Sequence, residues 1–218
     1  MSFRLAAGLA PLLLGLVCGC GGPAEGSAAV HMEGSDTMVN VAQAWAETYH
    51  QRRPDVSVQV LGGGSGVGIA SLIDGNCDLA NASRKMKPDE IEAARNNRGG
   101  EPKEIIVGFD ALAIYVHKRN PLETISLEEL AEIFRDGGTI TRWSELGIEM
   151  PEGVHDKIIR VTRQNSSGTY AYFREHVLGK GPDGKVRDMG LGAVEANGSK
   201  DAVALVGKTP CAIRKSSP

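Results

Sequence analysis

Val56-Ser-Val-Gln-Val-Leu-Gly-Gly-Gly-Ser-Gly-Val-Gly-Ile69 is the stretch on which the reading of the chain turns. Its first five residues alternate apolar and polar, the period of two that a half-buried strand requires. The glycines at 62, 63 and 64 end that strand, and the run from Val67 to Ile73 suits a helix. A strand that turns through glycine into a helix is the repeating unit of an α/β fold. The unit returns later: Lys157 to Thr162 reads as a strand, Arg163-Gln-Asn-Ser-Ser-Gly-Thr169 as a corner, and the residues up to Leu178 as an amphipathic helix.

The flanking sequence continues the alternation. Met38, Val41, Ala42, Trp45, Ala46 and Tyr49 fall at helical spacing, with Ser35 or Asp36 placed to cap the helix and Pro54 beyond its end. A short strand is expected at 78–82, and Pro88 to Arg95 reads as a helix with proline in its first turn. Glu104 to Lys118, the longest apolar stretch of the body, predicts one or two buried strands broken at Gly108 and Asp110. Ser126-Leu-Glu-Glu129 is a capping box opening a helix to Phe134. A last helix over 198–206 and a strand over 210–213 complete an α/β pattern with largely parallel pairing.

Composition narrows the function. The 218 residues carry a formal charge of −3 and no Lys/Arg block, which argues against a nucleic-acid surface. An apolar content of 41% excludes general disorder. The 28 glycines are well above the roughly 7% usual for proteins, without a collagen period. At the amino end, Arg4 precedes a short apolar run to Val17, too short to span a bilayer and suited to a signal peptide. Small residues then lead to Cys18 and Cys20. Cys20 is the better lipidation site, since Gly19 precedes it, whereas Cys18 follows bulky Val17. The expectation is a lipoprotein signal over 1–19, a flexible tether over 20–29 and a lipid anchor at the membrane. Export would permit a disulfide between Cys77 and Cys211, and two buried free thiols are the alternative.

Three corners carry the chemistry: Gly34-Ser-Asp-Thr-Met38, Gly62-Gly-Gly-Ser-Gly-Val-Gly68 and Arg163 to Thr169. Each opens a helix with free N–H groups, glycine lets backbone approach a ligand, and Ser or Thr adds a hydroxyl donor. Converging, they would form an oxyanion receptor of mostly neutral donors. Competing motifs fail by their letters: no lysine completes a phosphate loop, no register gives G-x-G-x-x-G or G-x-S-x-G, and HExxH is absent. The five histidines show no metal-ligand spacing, so no metal or other cofactor is expected.

These corners, with Asp78-Leu-Ala-Asn-Ala-Ser-Arg84 between them, resemble in order and spacing the signature segments of the phosphate-binding lipoproteins of bacterial phosphate ABC importers, within the type II periplasmic binding proteins. The resemblance runs from about Val30 to Ile213. It implies a two-lobed α/β clamp, with lobe 1 over 30–108 and lobe 2 over 109–213, that binds inorganic phosphate and delivers it to the importer's membrane subunits without catalysis. Carried over by position, it implies phosphate contacts from Ser35, Thr37, Met38, Ser65, Gly66, Ser83 and Arg84 on one side. From the other side come Arg163, Ser167, Gly168 and Thr169. Some members place an aspartate where Arg84 stands, so the carboxylate that accepts the phosphate proton is sought at Asp36 or Asp110. Family members also run on well beyond Ile213. The polar Arg214-Lys-Ser-Ser-Pro218 therefore reads as an aberrant tail on a truncated chain lacking the second half of lobe 1. The other readings are a clamp for a different oxyanion, a sensory protein, a non-functional product, or a phosphate-ester hydrolase.

Overall fold

The computed structural model describes residues 28–216. The signal segment, Cys18, Cys20 and tether residues 20–27 lie outside them. Two sheets organise the chain. The first is all parallel in the order β2-β1-β3, with β1 Ala28–Gly34, β2 Val56–Leu61 and β3 Leu79–Asn81. Helices α1 Val39–Arg52, α2 Ser65–Asp74 and α3 Pro88–Arg98 connect and follow these strands. Central β1 has little period-two patterning, and its first residues Ala28 and Ala29 are taken from the expected tether.

The second sheet has the order β4-β7-β5-β6, from β4 Ala113–Val116, β5 Ile159–Arg163, β6 Val194–Ala196 and β7 Ala212–Ser216. Its helices are α4 Leu127–Phe134, α5 Gly168–Phe173, which runs on as a π turn over Arg174–Leu178, and α6 Ser199–Lys208. The capping box of α4 forms as expected: Ser126 Oγ accepts the Glu129 N–H at 3.1 Å and Glu129 accepts the Ser126 N–H at 2.8 Å. The principal core lies here. Phe134 and Phe173 meet edge to face with centroids 5.1 Å apart, and buried Trp143 donates its indole N–H to Cys211 O at 3.1 Å. Each such ring contributes about 2–3 kcal/mol through removal from water.

Two expectations are corrected. Only residues 113–116 of the apolar stretch 104–118 form a strand, because only they find a partner, antiparallel β7. The segment before them has no ladder among the described residues, and Ile105, Ile106, Val107 and Phe109 are exposed. The expected polar tail is likewise not a tail. Arg214 and Lys215 continue β7, both fully buried, because the sheet supplies ladder partners: β4 and β5 for Arg214, β4 for Lys215.

Candidate functional site

Parallel pairing fixes where the first corners meet. β1, β2 and β3 end at one edge of their sheet, so the loops that leave them share that edge. Ser35, buried just after β1, donates its N–H to Asn81 O at 2.8 Å and its hydroxyl to Ser83 Oγ at 3.2 Å. Ser65, the first residue of α2 and also buried, accepts the Ser83 N–H at 3.0 Å. Its hydroxyl lies 3.1 Å from that of Ser83. Three hydroxyls from three loops thus form one cluster.

The second half meets this cluster through backbone. At Gly168 a Cβ would stand 2.2 Å from Ser83 Oγ and 2.7 Å from Ser65 Oγ, so only glycine lets α5 begin there. Gly64 combines a φ of +98° with a Cβ position 2.7 Å from Ser166 Oγ, and is required on both counts. Across the same seam Gly66 N–H donates to Ser166 O at 2.9 Å, and the Ser166 hydroxyl donates to Gly63 O at 3.0 Å.

Arg163, at the end of β5 and 1% exposed, is the buried cation of the site. Its Nη2 donates to Asp36 Oδ2 at 2.9 Å, Nη1 to Ser199 Oγ at 3.0 Å and Nε to Gln164 Oε1 at 3.0 Å. Asp36 also accepts from Gln164 Nε2 at 2.7 Å and from Gly63 N–H at 3.0 Å. Burial pulls the Arg163 pKa below its ordinary value, against the opposing pull of Asp36. An exposed pair such as Arg53–Asp55 adds little, being screened by water, whereas breaking a buried pair strands a charge and costs about 3–5 kcal/mol. Asp36 and Arg163 therefore tie the two halves together.

Arg84 stands at the edge of the cluster, 3.8 Å from the position a Gly66 Cβ would take. Glu90 holds it with two bonds of 2.8 and 2.7 Å. Burial pushes the Glu90 carboxyl up, but its bonds to Arg84 and the Lys87 N–H outweigh this and leave it below the usual range. Ser167 and Thr169 are buried in the Arg163 corner. Thr37 and Met38 lie half-buried on the turn after Asp36, and the Met38 N–H donates to Ser35 O at 3.0 Å. The expected helix cap from Ser35 or Asp36 does not form, since both side chains serve the cluster and the seam.

Asp110 is corrected outright. It is exposed, and its carboxylate accepts the neighbouring Ala111 N–H at 2.8 Å, because the strand meant to bury it does not form. Gln164, Ser166, Glu90 and Ser199 enter the site without having been singled out. The first two lay inside a quoted corner, and Ser199 carries a hydroxyl at the start of an expected helix. Arg214 Nη1 donates to Ser199 O at 2.8 Å, and burial and nearby Arg163 pull its pKa to about 10. Cys77 and Cys211 are buried free thiols. Among the described residues no cluster of His, Cys, Asp or Glu could hold a metal ion.

A domain model described as the PBP superfamily domain matches residues 21–215. The chain belongs to the PBP superfamily. This PBP-superfamily chain is similar to the phosphate-binding protein PstS of Pseudomonas aeruginosa, 36% identical over 154 residues that cover 68% of the chain and 47% of that protein. It is 38% identical to protein SphX of Synechococcus elongatus over 156 residues, 70% of the chain and 45% of SphX. It thus spans about half the length of these relatives. Among solved structures it resembles a putative phosphate ABC transporter substrate-binding protein with bound phosphate from Clostridium perfringens. The TM-score there is 0.72 at 29% identity, covering 87% of this chain and 70% of that one. An ABC-type phosphate transport receptor from Vibrio cholerae gives 0.62 at 29% identity, covering 87% and 71%.

Proposed function

We propose that the chain binds inorganic phosphate between its two halves and passes it to the membrane subunits of an ABC importer, from outside the inner membrane and anchored there by lipid on Cys20. One observation carries the reading: Gly168 is seated on the Ser65 and Ser83 hydroxyls while buried Arg163 stands behind the seam. The names of the PstS relative and of the Clostridium and Vibrio structures support phosphate as the anion.

In this reading the hydroxyls of Ser35, Thr37, Ser65, Ser83, Ser167 and Thr169 donate to phosphate oxygens, those of Ser35, Ser65 and Ser83 turning away from one another to do so. The backbone N–H groups of Met38, Gly66 and Gly168 do the same, with Met38 exchanging its turn bond and Gly66 its bond to Ser166 O for the ligand. Arg163 supplies the charge-assisted bonds, which are about twice as strong as neutral ones. Arg84, held by Glu90, adds positive potential at the rim. Asp36 fixes the Arg163 guanidinium and is the carboxylate placed to accept a phosphate proton. That bond favours protonated phosphate over unprotonated sulfate, whose oxygen would face the carboxylate without a hydrogen. No covalent bond is made or broken.

Isothermal titration of the purified chain with phosphate, repeated in excess sulfate, tests this. Saturable heat that sulfate does not abolish is expected. A folded chain that gives no heat with phosphate rejects the proposal.

A further inference from the structure

Gln164 faces both charged partners of the seam, and the phosphate reading gives it no task. Its Oε1 accepts the Arg163 Nε–H at 3.0 Å, while its Nε2 donates to Asp36 Oδ2 at 2.7 Å and reaches Asn197 O at 3.4 Å. An amide offers this acceptor and this donor on one planar group. Turned over, it would set its oxygen against the carboxylate and its N–H groups against the guanidinium, so the two charges fix its orientation. A carboxylate at 164 would serve Arg163 and repel Asp36. An apolar side chain would serve neither.

The amide decides which atom of each partner is left for a ligand. Asp36 Oδ2 accepts from both Arg163 Nη2 and Gln164 Nε2, which occupies its two lone pairs. Among the described residues Oδ1 accepts the Gly63 N–H alone, at 3.0 Å, and keeps capacity for one more donor. At Gly62 a Cβ would stand 2.7 Å from that same Oδ1, so glycine there leaves the oxygen uncovered. On Arg163, the bonds to Gln164, Ser199 and Asp36 use three of the five N–H groups and leave one hydrogen on each terminal nitrogen. We infer, resting on the phosphate reading above, that Gln164 is the positioning residue for anion selectivity: it holds Asp36 so that Oδ1 accepts the phosphate O–H. Without the amide the carboxylate is free to turn, and a sulfate oxygen, which bears no hydrogen, no longer meets a fixed negative atom.

Titration calorimetry of the purified chain with phosphate and with sulfate, each alone and in competition, tests this on Gln164→Met and Gln164→Glu. Methionine matches the length of glutamine and removes both bonds. Glutamate keeps the bond from Arg163 and removes the one to Asp36. In both variants the preference for phosphate over sulfate is expected to fall at least about tenfold from wild type. A role in packing alone would weaken both anions alike and leave their ratio unchanged, and that result overturns the inference. A preference kept by Gln164→Glu alone also overturns it, because the amide would then act through Arg163. One kept by Gln164→Met alone overturns it as well, because the added charge and not the lost donor would be at work. An unchanged circular dichroism spectrum confirms folding, and Gln164→Glu carries the test if Gln164→Met does not fold. A folded wild type without phosphate heat removes the phosphate reading and this role with it, whereas variants that keep the wild-type preference remove the role of Gln164 alone.

Discussion

Arg163 concentrates the energetics of the site in one side chain. Its planar fork reaches Asp36, Ser199 and Gln164 at once, from a position almost without solvent. Lysine would keep the charge but lose the fork, and one ammonium cannot hold these partners and an anion together. Arg163→Lys is therefore expected to weaken phosphate binding at least about tenfold by titration calorimetry, a loss of roughly 1.4 kcal/mol. The variant should keep its fold, since Asp36 still faces a cation. Undiminished affinity would mean that the hydroxyl cluster binds the anion by itself. Arg163 was visible in the sequence because it is the only basic residue of its corner. Ser199 was not, since it joins Arg163 from 36 positions away and only the closed fold brings them together.

Among the elements, β7 is the most unusual. It places Lys215 wholly out of solvent beside β4, with Nζ 3.8 Å from the Phe173 ring centroid and 5.1 Å from that of Tyr170. Burial, helped by nearby Arg174, pulls the Lys215 pKa from its ordinary 10.5 to about 6. The unfolded chain, with its lysine near 10.5, holds a proton that the folded chain has released between these two values. Stability therefore rises with pH from about 6 to about 10 and is flat in this respect below 6, a span of several kcal/mol. The melting temperature is expected to climb over that window, and Lys215→Met should raise it at neutral pH and remove the Lys215 share of the climb. A melting temperature that does not respond to Lys215→Met would show that β7 opens to let the lysine reach water. The α4 capping box and the glycine corners were legible because their signals are local. β7 was not, because Arg214 and Lys215 read as polar and only β4 and β5 on either side make a strand of them. The 104–112 stretch failed in the opposite sense: its apolar residues call for burial, but strand formation needs a partner that those letters cannot supply.

For the whole molecule, the two halves are unequally built. The second encloses an aromatic core, while the first buries mainly Ala42, Val56, Ile69, Cys77 and Ala94 and leaves Trp45 and Tyr49 of α1 over 40% exposed. The seam bonds therefore matter more to the first half. A ligand held by both halves should raise the apparent stability of the chain, by about 2.7 kcal/mol at a hundredfold excess over Kd. A phosphate-dependent rise in melting temperature is expected, and Asp110→Asn should leave it intact, because Asp110 lies outside the cluster. Loss of the rise in that variant would return Asp110 to the site. The two free thiols add a practical consequence. Among the described residues each half hides one, Cys77 at 4% and Cys211 at 8% exposure. Two identical chemical groups thus sit in different halves of the chain. An alkylating reagent reads the breathing of each half as its own labelling rate, with mass spectrometry of the two peptides telling the rates apart.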